Sequence, residues 1–335
     1  MFRCCFGKEE ISQIDHQANE NPTARTAACH SEPVTCINNM SYGVTISGSQ
    51  DKTVLAYNWR TGNIIRRWFG HNKEITKVIH ANIIRSVFSC SRDRSIRMWQ
   101  YDGENDDFIR EFICHDLVVT GITVNSDNTN LCSGSRDNTV CLWDIETGKA
   151  IKRRNINRNL VTHLQWFPKE SSNNLIAQTS EDKCLRIWDS KSMEVAMTFP
   201  ARHNILTYCD ISCDGNYVIT SGSGVNNQGC DCVMWDVRAQ NAVAKFYGHS
   251  LTVSACCFAA FDKNLILTSS YDHSVRMWDK NTTDCLLQYS INGAGPITGI
   301  CSDTDKHFCC STHADGIHAV HVNTETSVAT LKRKF

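Results

Sequence analysis

SGSRDNTVCLWD, residues 133–144, reads as a tight polar turn feeding a strand. Val140 and Leu142 fall on one side and Cys141 and Trp143 on the other, the period of two that a strand requires. The same frame recurs as SCSRDRSIRMWQ at 89–100 and SSYDHSVRMWD at 269–279. It recurs with changes as TSEDKCLRIWD at 179–189 and CDCVMWD at 230–236. A first copy, SGSQDKTVLAYN at 47–58, places Tyr57 in the tryptophan slot, and a last, STHADGIHAVHV at 311–322, places His321 there. The slot falls at 57, 99, 143, 188, 235, 278 and 321, in steps of 42 to 47 residues. A four-stranded propeller blade takes a stretch of that length, so the sequence predicts an all-β, seven-bladed β-propeller.

A second landmark keeps register with the first. Gly70-His71 and Gly248-His249 open two blades, and His30, His115 and His203 open others. From histidine to turn aspartate the distance is 21 residues for His30–Asp51, 22 for His71–Asp93 and His115–Asp137, and 23 for His249–Asp272. Turn pairs such as Thr61-Gly62, Asp102-Gly103, Thr147-Gly148 and Asp214-Gly215 separate the apolar runs, as hairpins need. The propeller is expected over residues 30–335, with residues 1–29 a polar, aperiodic and flexible arm. The ring can close through SVATLK, residues 327–332, or through a strand near Ala24–Cys29. The first is favoured, because each earlier blade also shows an apolar run after its tryptophan, such as Ile64–Phe69.

These motifs resemble the WD-repeat family over residues 30–335. The resemblance implies one hydrogen-bonded chain of histidine, Ser/Thr, aspartate and tryptophan per blade. Blade 2 offers His71, Ser89, Asp93 and Trp99; blade 3 offers His115, Ser133, Asp137 and Trp143; blade 6 offers His249, Thr268, Asp272 and Trp278. The chemistry is coherent: an indole N–H only donates, a hydroxyl and an imidazole both accept and donate, and a carboxylate accepts. These are also the residue types of a Ser-His-Asp triad. Threefold recurrence, with an indole to occupy the hydroxyl oxygen each time, assigns them to structure and predicts no catalytic residue. Blades 1, 4, 5 and 7 are degenerate: Tyr57 replaces tryptophan, Gln178 replaces Ser/Thr without an opening histidine, GSGVNNQGCDC interrupts blade 5, and blade 7 lacks both histidine and tryptophan. Those blades are expected to rest on packing, with the blade 5 insertion an exposed loop carrying two incidental thiols.

Composition narrows the remaining classes. The formal net charge of −1 provides no general attraction to nucleic acid, and no nucleic-acid partner is expected. No stretch is apolar enough for a membrane span or a secretory leader, so an intracellular protein is expected. The 19 cysteines sit mostly inside apolar runs, where free Cys behaves as a small buried residue. One C-x-C at Cys230 and Cys232 is weak evidence for zinc, and no metal is expected. No phosphate-binding loop, dinucleotide fingerprint or HExxH is present, so no cofactor and no small-molecule substrate are expected.

Function is therefore expected on loops, in contacts with other proteins through peptide segments. The family's partner-contacting positions map onto Gln50, Arg92, Arg136, Glu181 and Tyr271 before or at the turn, and onto Glu74 and Val118 at the start of inner strands. Arg92, Arg94 and Arg136, with Lys152, Arg153, Arg154 and Arg158 nearby, suggest a basic sector for acidic or phosphorylated peptides, set against a surface balanced by neighbouring acids. Thr35, Thr76, Thr120, Thr162, Thr207, Ser254 and Thr298 share one inner-strand position, a hydroxyl ring expected to be structural. Cys4 and Cys5, between Phe2-Arg3 and Phe6, look like an S-acylation site that would bring the arm to a membrane. Within the family, DKTVLAYNWRTGN, HNKEITKV and NLVTHLQW carry a closer resemblance that implies a cytoplasmic scaffold linked to ciliary trafficking. The alternative is a substrate receptor of a multi-subunit complex such as a ubiquitin ligase.

Overall fold

The computed structural model describes residues 29–41, 43–102, 107–169, 174–291, 293–314, 316–323 and 328–334. Cys4, Cys5 and the arm before residue 29 lie outside the described residues. Seven four-stranded antiparallel sheets form, each from four strands consecutive in the chain. They span residues 34–68, 75–113, 119–155, 161–198, 206–246, 253–290 and 297–334, the seven blades in order. No described helix is long and apolar enough to cross a membrane.

Burial follows strand position. Second strands are buried end to end, as in Val44–Ser49, Ser86–Ser91 and Leu265–Ser270. Outer strands are solvated; Ala150–Asn155 is exposed at five of its six residues. Buried apolar residues gather into seven clusters, one at each seam between neighbouring blades. At the seam of blades 2 and 3, Phe88, Ile96 and Phe112 pack on Val119, Leu131, Cys141 and Trp143. The small residue of the repeated S-G-S serves this packing. A Cβ on Gly134 would stand 2.4 Å from Val161 Cγ1, and one on Gly48 would stand 2.4 Å from Ile75 Cγ2. Glycine there lets the next inner strand approach.

The ring closes through the C-terminal strand, as favoured from sequence. Val328–Lys334 pairs with Ile317–Asn323 as the outer strand of blade 7. Leu55, Tyr57 and Trp59 of the first blade pack on Cys309, Ile317 and Ala319 of the last. Asn39 donates to the Ser302 carbonyl (3.2 Å), and Arg60 forms an ion pair with Asp305 across the same seam.

The hydroxyl ring is structural and spans the seams. Each of its seven residues is skipped in the register between inner and second strand, so each is a bulged residue. Five reach the next blade's inner strand. Thr35 donates to the Ile75 carbonyl (2.7 Å), Thr76 to Val119 (2.5 Å), Thr120 to Val161 (2.5 Å), Thr207 to Val253 (2.6 Å) and Thr298 to Val34 (2.7 Å). Thr162 and Ser254 turn inward to Thr179 and Ser269 of their own blades.

Candidate functional site

The histidine chains form in blades 2, 3 and 6. Trp99 Nε1 donates to Ser89 Oγ (2.7 Å), which meets His71 Nε2 (2.8 Å), and His71 Nδ1 meets Asp93 (2.8 Å). Blade 3 repeats this with Trp143 to Ser133 (2.8 Å), Ser133 to His115 (2.8 Å) and His115 to Asp137 (3.2 Å). In blade 6 the three links among Trp278, Thr268, His249 and Asp272 are each 2.8 Å. Each aspartate also holds its turn through the residue two further on: Ser95, Thr139 and Ser274 donate to it from both backbone and hydroxyl.

Burial alone would push the Asp93 carboxyl up, but hydrogen bonds from His71, Ser95 and the Asn72 amide outweigh it and hold the carboxyl well below its usual range. Asp137 and Asp272 behave alike. Burial pushes the His249 imidazole down, against the opposing pull of Asp272. Ser89, Ser133 and Thr268 are fully buried, and each oxygen already accepts an indole N–H. The Asp-His-hydroxyl order matches a hydrolase triad, but no substrate carbonyl can reach the hydroxyl.

Two degenerate blades differ from expectation. Blade 4 has a substitute chain and does not rest on packing alone. Trp188 donates to Gln178 Oε1 (2.6 Å), the Gln178 amide donates to Asn159, and Arg186 links Asn159 (3.1 Å) to Asp182 (2.5 Å). A side-chain amide both donates and accepts, so Gln and Asn can replace hydroxyl and imidazole. In blade 5 His203 is exposed and does not open a chain; Arg202 instead pairs with Asp231, while Trp235 donates to Thr220 (2.9 Å). Cys230 and Cys232 are buried, not exposed; only the insertion's tip around Val225 faces solvent. Blade 1 keeps three members, with His30 bonded to Ser47 (2.8 Å) and Asp51 (2.9 Å) and Tyr57 buried in the tryptophan slot.

The positions expected from the resemblance to meet partners come together on one face. Their backbones interlock blade by blade: Gln50 N donates to Pro33 O (3.0 Å), Arg92 to Glu74 (3.0 Å), Arg136 to Val118 (3.0 Å), Glu181 to Leu160 (2.9 Å) and Tyr271 to Thr252 (3.0 Å). Arg94 sits beside them, exposed, in the left-handed turn position at φ 76°. Four arginines of the basic sector, however, are balanced by acids. Arg92 pairs with Glu74 (3.0 Å), Arg136 with Glu181, Arg153 with Asp116 (2.8 Å) and Arg154 with Glu194 (2.9 Å). Acids from the neighbouring strand or blade fall within reach of each guanidinium, a relation that linear sequence hides.

Three features escaped sequence reasoning. Phe69, Ile113 and Tyr247 each stand two residues before an opening histidine and are 58%, 68% and 66% exposed; their shared register was the available signal. Clefts adjoin two of the three, one of about 520 Å³ between blades 2 and 3 lined by Arg94, Ile113 and Asp116, and one of about 540 Å³ between blades 5 and 6 lined by His203, Lys245 and Tyr247. Finally, side chains from the inner strands of blades 2, 4 and 5 meet across the axis. Lys77 Nζ donates to Tyr208 Oη (2.5 Å), and the Tyr208 ring stacks on His163 at 3.7 Å. Burial pushes the Lys77 amine down to about 8 and the His163 imidazole well below its ordinary value. Among the described residues no cluster of three or more His, Cys, Asp or Glu could hold a metal ion.

Comparison with known proteins fits this division. The family model "WD domain, G-beta repeat" matches residues 22–58, 62–100, 106–144 and 240–279. Those four segments carry the first three strands of blades 1, 2, 3 and 6, the blades that keep the histidine, and the last three of them begin with the outer strand of the preceding blade. Pre-mRNA-processing factor 19 homolog 2 of Arabidopsis thaliana is 25% identical over 245 residues, covering 71% of this chain and 36% of that protein. Human pre-mRNA-processing factor 17 is 32% identical over 136 residues, 40% of this chain and 23% of that protein. Nuclear distribution protein PAC1 of Arthroderma otae is 24% identical over 265 residues, 70% of this chain and 55% of that protein. The chain thus spans between about a quarter and about half of these curated relatives.

Proposed function

From a seven-bladed propeller of the WD40 repeat family, we propose a non-catalytic scaffold that binds peptide segments of other proteins on the loop face carrying Gln50, Glu74, Arg92, Arg94, Val118, Arg136, Glu181 and Tyr271. WD propellers bind other proteins, and one observation supports this reading above the rest: the groups that look catalytic are buried and mutually satisfied, whereas the loop face is exposed at Arg92, Arg94, Arg136 and Tyr271, half-buried at its other four positions, and differs from blade to blade. Since Arg92 and Arg136 already pair with Glu74 and Glu181, a partner binds this face by exchanging ion pairs and by covering Ile113, Leu117 and Tyr271.

The finer assignment rests on resemblance. DKTVLAYNWRTGN, HNKEITKV, SRDNTVCLWDIETG, NLVTHLQW and TSEDKCLRIWD are similar to WD repeat-containing protein 31, which points to ciliary trafficking and a cytoplasmic location at the cilium base. Acylation of Cys4 and Cys5 would add a membrane tether to that scaffold. Proximity labelling with the wild type, Arg92→Glu/Arg136→Glu and Cys4→Ser/Cys5→Ser tests both. Charge reversal is expected to remove partners while leaving the fold intact, and the double serine to release the chain from membranes. Unchanged partners under charge reversal would move binding to another face, unchanged membrane association would remove the tether, and recovery of ubiquitin-ligase subunits would favour a substrate receptor.

A further inference from the structure

Cys114 and Cys141 occupy a pair of positions that the repeat fills differently elsewhere. The first lies immediately before the opening histidine, the second two residues before the tryptophan. In blades 2 and 6 the pair is glycine and arginine, and the two positions touch. A Cβ on Gly70 would meet Arg97 Nη1 at 2.6 Å, and one on Gly248 would meet Arg276 Nη1 at 2.0 Å. In blade 3 both positions change together, to Cys114 and Cys141, and the two sulfurs stand 3.1 Å apart. That is closer than two sulfurs sit in ordinary contact. A closing movement of about 1 Å brings them to the ~2.05 Å of a bond.

Access and surroundings suit the chemistry. Cys114 is partly exposed in the link between Phe108–Ile113 and Val119–Val124, whereas Cys141 is fully buried in Thr139–Asp144. Arg153, the cross-strand neighbour of Cys141, brings a cation to the pair and is itself held by Asp116 and Asp137. The link that carries Cys114 also carries His115 and Asp116, which line the cleft between blades 2 and 3, and Val118 of the loop face.

We propose that Cys114 and Cys141 form a reversible dithiol–disulfide site that responds to peroxides. The Cys114 thiolate attacks a peroxide oxygen; an S–O bond forms, the O–O bond breaks, and the leaving oxygen departs protonated as water or an alcohol. The Cys141 sulfur then attacks Cys114; the S–S bond forms, the S–O bond breaks, and water leaves with the Cys141 proton. The peroxide is reduced by two electrons, and a dithiol reductant reverses the oxidation by thiol exchange. The bond ties the link to the third strand of its own blade and fixes one wall of the cleft. This goes beyond the scaffold reading and does not depend on which partner binds.

The test uses the full reduced chain, freed of reductant, treated with hydrogen peroxide, alkylated and digested with trypsin. The expected product joins peptide 111–136 to peptide 137–149 with the loss of two free thiols and two hydrogens. Fragmentation assigns the link to Cys114 and not to Cys132, which shares its peptide. The link is expected to form before the exposed Cys213 and Cys285 are oxidised and to disappear with dithiothreitol. Cys114→Gly/Cys141→Arg restores the pairing of blades 2 and 6 and is expected to fold and to lose the link. Cys114→Ser, a smaller change, is expected to leave Cys141 reduced. A Cys114 sulfinic acid or mixed disulfide without the link, or another cysteine pair linking first, overturns the proposal.

Discussion

At the scale of single residues, the side chains that suggest an enzyme hold turns in place. Ser133 illustrates the energetics. Its hydroxyl accepts from Trp143 and meets His115, all three buried, so Ser133→Ala leaves an indole N–H and an imidazole nitrogen without partners. Each unsatisfied buried group costs about 1–3 kcal/mol. Urea unfolding should show a loss of that order, and Ser133→Thr, which copies Thr268 of blade 6, should recover most of it. Acid acts on the same chains. The imidazole of His249 is held below its ordinary value by burial, so below pH ~6.5 the unfolded chain gains a proton that the folded one refuses. The Asp272 carboxyl is held below its usual range, so its contribution is present above ~3.9 and lost as pH falls toward its folded value. Both effects carry the same sign. The urea midpoint should fall from pH 7.5 to 5, and a flat profile would contradict a neutral buried His249 imidazole.

At the scale of the element, the strand that follows each turn was legible because turn aspartate, alternation and tryptophan are local signals. Inner strands were legible through their opening histidines and through the repeated Thr/Ser position. Blade 4 shows why the rest was hidden: Asn159 and Gln178 perform the task of a histidine and a hydroxyl, and a search by residue type passes over them. His203 shows the reverse case, the right residue near the right place but exposed, because the blade 5 insertion puts Asp231 opposite Arg202. Burial of Cys232 depends on packing against the neighbouring blade, which spacing does not reveal. The hydroxyl ring was legible as a repeat, but its inter-blade role required the bulge. Thr120→Val removes the donor to the Val161 carbonyl and should lower stability by about 1 kcal/mol. Amide exchange in Val161–Trp166 should quicken. Thr162→Val removes a bond within its own blade and should leave exchange in Leu206–Ile211 unchanged.

At the scale of the whole molecule, seven sheets share seven apolar seams, and the last seam is made like the others. Each blade contacts its neighbours, so local defects are tolerated: blades 4, 5 and 7 abandon the repeated chain without opening the ring. Side chains of Lys77, Tyr208 and His163 meet across the axis. On the proposed reading, binding and stability belong to different residues, the first to the loop face and the second to the chains beneath it. The most direct measurement compares partner recovery and urea unfolding for Arg92→Glu/Arg136→Glu and Ser133→Ala side by side. The charge reversal is expected to lose partners at unchanged stability, and Ser133→Ala to lose stability while retaining partners under folding conditions. Partner loss confined to Ser133→Ala, or an enzymatic activity that this one substitution abolishes, would contradict this reading.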